Sequence, residues 1–167
     1  FANEYIPYLH WETSPVWFVI LFLALPYIRD AHFYLVHRLL HTQALYRSVH
    51  YLHHKNVNIG PWSGLAMHPV EHLLYFSVIF LHWVVISHPI HAIFNIQATG
   101  LVPAIAHAGF DKYLFAGKKA LPLGQRYFHF LHHKYFECNY GADYSVPMDK
   151  WFGSLHDGTP EADALMK

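Results

Sequence analysis

Residues 30–54, DAHFYLVHRLLHTQALYRSVHYLHH, hold six of the seventeen histidines of this 167-residue chain. Five of them fall into two short patterns: His37 and His41 as HxxxH, and His50, His53 and His54 as HxxHH. A helix turns by about 100° per residue, so positions four apart lie within ~40° of each other and positions three apart within ~60°. Each pattern is therefore expected to aim its imidazoles from one helical face toward a common point. The second pattern recurs near the C-terminus as His129, His132 and His133 in HFLHH. Three such modules read as a metal centre.

Imidazole suits iron, zinc, copper or nickel, and residue type alone does not choose among them. Ligand number narrows the choice. A structural zinc is satisfied by four ligands and a catalytic zinc by three plus water. Here the modules supply eight histidines, with His68, His72 and His107 as further candidates. That count predicts two metals with five or six ligands each. Carboxylate-bridged di-iron bundles bring Glu-x-x-His pairs, which this sequence lacks. The expectation is a histidine-rich dinuclear site, with iron favoured, at the mouth of a helical membrane bundle.

Composition agrees with a membrane setting. The chain is 54% hydrophobic and 18% aromatic but only 13% charged, a balance suited to a membrane protein or a very apolar soluble one. Lys plus Arg equals Asp plus Glu at eleven each, so no nucleic-acid partner is expected. The single cysteine, Cys138, excludes an internal disulfide and a Cys-ligated zinc site. The length suits one domain. With Phe rather than Met at position 1, the chain is expected to continue upstream. No cleavable signal sequence is recognisable.

Residues 1–14 read as interfacial, with Tyr8 and Trp11 suited to a membrane boundary. Residues 16–28 form an apolar run interrupted only by Pro26. A spanning helix needs about 20 residues, so this run reaches across only by taking Arg29 and Asp30 to the interface. A buried soluble helix is the competing reading. Residues 55–63 read as a loop. Residues 73–87 and 90–106 read as two limbs of a hairpin turning at Ser87-His88-Pro89. The second limb is the weaker, since it carries Asn95, Gln97, Thr99, Gly100 and Pro103. Every Lys and Arg lies at or before Lys55, or at or after Lys112. Both hairpin ends, the basic residues and all histidine modules then share one side, which the positive-inside rule makes cytoplasmic. The expected location is an endoplasmic reticulum or bacterial inner membrane.

With these motifs in order, the chain resembles the fatty acid hydroxylase/sterol desaturase superfamily of membrane non-haem di-iron enzymes. Asp30-x-x-x-Tyr34-x-x-His37-Arg38-x-x-His41 matches its opening motif and His50-x-x-His53-His54 its second. His68-Pro69-Val70-Glu71 is similar to its HP-x-E segment, and His107-Ala108-Gly109-Phe110-Asp111 to its single-histidine segment. His129-x-x-His132-His133, Asn139-Tyr140-Gly141 and Asp149-Lys150-Trp151-Phe152-Gly153 resemble its closing pattern. The resemblance covers residues 30–157, leaving 1–29 as an interfacial segment with a partial membrane helix and 158–167 as a tail. Most of the family's upstream membrane helices have no counterpart in this sequence. The resemblance implies an all-α fold, an integral membrane helical bundle with a cytosolic histidine-cluster cap. It also implies two iron ions, O₂ as co-substrate, and hydroxylation or desaturation of a sterol, fatty acyl chain or related lipid drawn from the bilayer. Cytochrome b5 or a reductase is the implied electron donor.

Supporting and rival roles remain open at this level. His68 before proline is either a ligand or a helix cap, and His72 lines either the metal or the hairpin entrance. Asp30, Tyr34 and His37 share one helical face, so Asp30 is a candidate acceptor that orients a ligand imidazole, or a helix-end charge partner. Arg38 and Glu71 are expected in similar supporting roles, and Asp149 is expected to anchor the cap. His82, His88 and His91 sit at the hairpin turn and read as structural, while His10, His32 and His156 have no motif support. The apolar pocket walls are expected to be Trp62, Leu65, Met67, Leu73 and Phe128. The rival functions are a zinc hydrolase or metal transporter using the same cluster, and a structural protein with a stabilising metal.

Overall fold

The computed structural model describes residues 8–109, 112–115, 119–122, 124–141 and 146–166. Residues 1–7 of the expected interfacial segment, Asp111 of the single-histidine segment and Lys167 of the tail lie outside the described residues.

Helix α1 spans Pro15–Leu40, opening with proline at its first turn, where the missing N–H costs nothing. It joins the apolar run to the first histidine module in one rod of 26 residues, carrying Pro26 inside it. The helix therefore does not stop at Ile28 but continues through Arg29 and Asp30. Both are buried on the inner face with Leu21, Leu25, Tyr34, His37 and Leu40. Among the described residues, α1 is the one helix long and apolar enough to cross a membrane.

Beyond α1, a short helix α2 (Gln43–Leu45) runs into a π-helical turn (Tyr46–His50) and α3 (Tyr51–His54), which carry the second module. A 3-10 turn at Pro61–Ser63 leads to α4 (Pro69–Phe76), continued through a 3-10 turn (Ser77–Phe80) into α5 (Leu81–Val84). Helix α6 (Pro89–Ala106) returns and ends at His107. The polar residues that weaken this limb as a sequence have a place in the fold. Asn95, Thr99 and Pro103 face inward, and Asn95 Nδ2 donates to His82 Nε2 at 3.3 Å while the Tyr75 hydroxyl donates to the Thr99 carbonyl at 2.9 Å. His91 Nδ1 accepts from the His88 N–H, so its Nε2–H donates to the Phe18 carbonyl of α1 at 2.9 Å. The hairpin histidines are thus structural, as their sequence position suggests.

The remaining elements are β1 (Lys112–Phe115) and β2 (Lys119–Pro122), then α7 (Gly124–Tyr135), α8 (Met148–Trp151) and α9 (Pro160–Leu165). The antiparallel pair β1–β2, with Lys112 opposite Pro122, is a small addition to the helical fold that the sequence leads one to expect. The fold is helical with one short antiparallel strand pair added among the described residues.

Candidate metal centre

Nine histidines converge in two groups. His37, His41, His50, His54 and His132 each bring one ring nitrogen to within 4.8 Å of the others, and so do His53, His107, His129 and His133. The modules are not each aimed at one point, as the spacing suggests. In each HxxHH the residues at i and i+4 stay together, while the one at i+3 crosses to the other group. The reason is angular: adjacent positions i+3 and i+4 diverge by about 100°.

The ring orientations are fixed from behind. Nδ1 of His37 faces the Tyr140 carbonyl at 2.6 Å, His132 that of Cys138 at 2.6 Å, His107 that of Pro103 at 2.8 Å and His53 that of Ala66 at 3.2 Å. His50 Nδ1 meets the Glu71 carboxyl at 2.8 Å. A carbonyl only accepts, so Nδ1 of those four rings carries the proton and Nε2 presents its lone pair. The Nε2 atoms then face one another at 3.0–3.2 Å in the first group and at 3.2 and 3.3 Å in the second.

His53 and His107 both keep their Nδ1 proton on a carbonyl, so their Nε2 lone pairs face each other at 3.3 Å, an arrangement that a cation between them satisfies. Nitrogen ligands about 2.1 Å from a metal and at right angles lie roughly 3.0 Å apart. Nδ1 of His54 and His129 and both ring nitrogens of His133 are buried without a hydrogen-bond partner. The residues present therefore fit a metal ion in each group. Burial, the leading cause throughout, holds His41, His53 and His107 down to about 4 and His133 to about 2, with His50, His54, His129 and His132 also far below the ordinary range. Neutral imidazole is the form that binds metal.

The family model described as fatty acid hydroxylase matches residues 18–154. The chain belongs to the fatty acid hydroxylase family. It is 27% identical to the Delta(7)-sterol 5(6)-desaturase ERG3B of Gibberella zeae, over 89% of this chain and 46% of that protein. It is 30% identical to methylsterol monooxygenase 1 of Gallus gallus, over 92% of this chain and 53% of that protein. It is 32% identical to the putative Delta(7)-sterol-C5(6)-desaturase 2 of Arabidopsis thaliana, over 89% and 53%. The chain spans about half the length of the curated relatives it matches. No solved structure matches it at a significant level.

In this fatty acid hydroxylase chain the eight module histidines and His107 come together, whereas His68 and His72 join neither group. His68 caps α4, its Nδ1 accepting from the Val70 N–H at 3.2 Å, and His72 Nδ1 lies 3.3 Å from the His68 carbonyl. Asp30 does not orient His37, whose Nδ1 is held by the Tyr140 carbonyl instead. Glu71 does support a ligand, through His50. Arg38 acts one step further out, its guanidinium 4.5 Å above the Tyr140 ring.

The sequence marks the loop through Asn139-Tyr140-Gly141 and Asp149, but not its role of supplying the Cys138 and Tyr140 carbonyls behind His132 and His37. Asp149 accepts from the N–H groups of Tyr140 and Gly141 at 2.9 and 2.7 Å and from the Ser154 hydroxyl at 2.6 Å. Asn139, at φ +52°, ties the same loop to Phe128 and His156 through its side chain. The clue was the Asn139-Tyr140-Gly141 motif, but a backbone acceptor leaves no side-chain signature.

A cavity of about 330 Å³ opens onto both groups, touching His37, His50, His53, His107 and His129. Its apolar wall comes from α1 and α6, chiefly Phe33, Val36, Leu40, Val102 and Ile105. Of the five expected wall residues only Met67 lines it. Trp62 is 99% exposed and Leu73 74% exposed, Leu65 also faces outward, and Phe128 is buried elsewhere. The walls come instead from α1 and α6, where Phe33 and Leu40 share the inner face with His37 and Val102 and Ile105 precede His107.

Proposed function

We propose that this chain forms the catalytic core of a membrane-bound, O₂-dependent di-iron oxidoreductase that hydroxylates or desaturates a sterol, fatty acyl chain or related lipid. The observation that carries this reading is that two histidine groups open onto one apolar-walled cavity. Two irons, when bound, supply activation of O₂ for attack on an unactivated C–H bond. The chain's own residues prepare the ground. Carbonyls behind the rings hold the Nδ1 protons and so keep the Nε2 lone pairs aimed inward. Glu71 steadies His50, and the walls from α1 and α6 hold an apolar body and exclude water.

Five imidazoles in one group exceed the four that satisfy zinc, which supports iron. The names of the relatives support a sterol or similar lipid as substrate. Membrane placement is supported by the outward face of the helices, where Val16, Leu23, Leu73, Trp83, Val84 and Leu101 are exposed. The inward face, by contrast, keeps the polar residues His82, His91, Asn95 and Thr99. The histidine groups lie on the cytoplasmic side in this reading, where cytochrome b5 or a reductase delivers electrons.

Metal analysis and lipid mass spectrometry on the purified protein test it together. About two irons per chain and an O₂-dependent lipid product are expected. Zinc alone, with no O₂ consumed, would sink the proposal.

A further inference from the structure

Arg29 is a charged residue in the interior of α1, the one helix among the described residues long and apolar enough to cross a membrane, and it is buried. Such placements are costly in a membrane helix and are kept for a purpose. Its Nη2 lies 4.0 Å from Asp30 Oδ1, which balances its charge. Its Nη1 is buried with no hydrogen-bond partner, and an unmet donor there costs stability. Arg29 and Asp30 both line the cavity that also touches the histidine groups. The neighbouring Tyr75 hydroxyl is already committed to the Thr99 carbonyl, whereas Glu71, whose Oε1 meets His50, leaves Oε2 buried without a partner in the same cavity.

We infer that Arg29 Nη1 anchors the polar end of the lipid substrate. The group it takes is a neutral, hydrogen-bond-accepting oxygen, a hydroxyl or carbonyl, because the Arg29–Asp30 pair offers a donor without net charge. Arg29 precedes His37 by eight residues, about 12 Å along the helix axis. Cα–Cβ bonds on a helix tilt toward its N-terminus at every position, so the two side chains start with the same lean and the offset carries outward from the axis. The anchored oxygen therefore lies remote from the carbon that faces the histidines. The substrate class is an elongated lipid with one oxygen-bearing end and an extended apolar body, oxidised away from its polar group. This inference rests on the cavity being the lipid site.

The test uses the iron-loaded chain in bilayer nanodiscs and two probes of equal length, 1-hexadecanol and hexadecane, competing against a fluorescent fatty alcohol. The wild-type protein is expected to prefer the alcohol by about tenfold. Arg29→Met should erase that preference with bound iron unchanged, and Arg29→Lys, which keeps a donor, should restore part of it. Equal wild-type affinity for both probes overturns the anchor and leaves the lipid cavity standing. So does a preference that survives in Arg29→Met. Failure of the wild type to bind either probe overturns the anchor and the lipid reading together. Where Arg29→Met does not fold, the wild-type comparison decides alone.

Discussion

His53 and His132 occupy each other's place: each is the i+3 histidine of its HxxHH, and each serves the group built by the other's helix. His53 Nε2 lies 3.3 Å from His107 Nε2, beside His129 and His133 of α7, while His132 Nε2 lies 3.1 Å from His41 Nε2 and 3.2 Å from His54 Nε2. The exchange ties α3 and α7 through both groups, so neither metal position belongs to one helix.

The crossed pair makes a specific prediction. His53→Ala should lose the metal of the four-histidine group and His132→Ala that of the five-histidine group, each falling from about two metals to about one with activity abolished. Mass spectrometric metal analysis reads both. Full metal content in His132→Ala would falsify the assignment.

Asp149 reaches the metal centre through the loop it holds. Asp149→Ala removes acceptors from the Tyr140 and Gly141 N–H groups and from the Ser154 hydroxyl, releasing the Tyr140 carbonyl from His37. Metal affinity should fall about 10–100-fold, and stability by about 2 kcal/mol or more. Competition with a chelator measures the first and chemical denaturation the second. Unchanged metal affinity would mean that the loop does not position His37.

Gly64 sits where no side chain fits. A Cβ there would lie 2.5–2.9 Å from the backbone of Pro103 and Ala104 in α6. Gly64→Ala should therefore push the loop off α6 and cost roughly 1–3 kcal/mol. Because Gly64 lines the cavity, product distribution should shift as well. Wild-type melting temperature and products together would show that the loop yields freely.

The residues that line the observed cavity, Met67 among the expected ones and Ile105 besides, should control products. Met67→Ala and Ile105→Phe should change the product ratio or lipid preference at normal metal content, whereas Leu73→Ala should not. Product analysis on iron-replete variants decides, and an effect confined to Leu73→Ala would place the substrate outside the cavity.

Acid should destabilise the metal-free protein over a defined window. Burial holds His41, His53 and His107 to about 4, against an ordinary value of 6.5. Between those values the unfolded chain binds more protons than the folded one, so stability falls as pH drops from about 6.5 toward 4. Melting temperatures of the stripped protein at pH 7 and pH 5 test this, and equal values would contradict it.

The sequence alone determined the helical class and eight of the nine converging histidines, with His107 as a candidate, because 3.6-residue periodicity and repeated spacing are local properties. Tertiary structure decided the rest. It split each HxxHH between two groups, made His68 a cap rather than a ligand, and moved the pocket walls to α1 and α6. It also gave the orientation of His37 and His132 to the carbonyls of Tyr140 and Cys138, over a hundred residues from His37 and six from His132. Backbone acceptors and the space between packed helices have no residue type of their own, so only the folded chain reveals them.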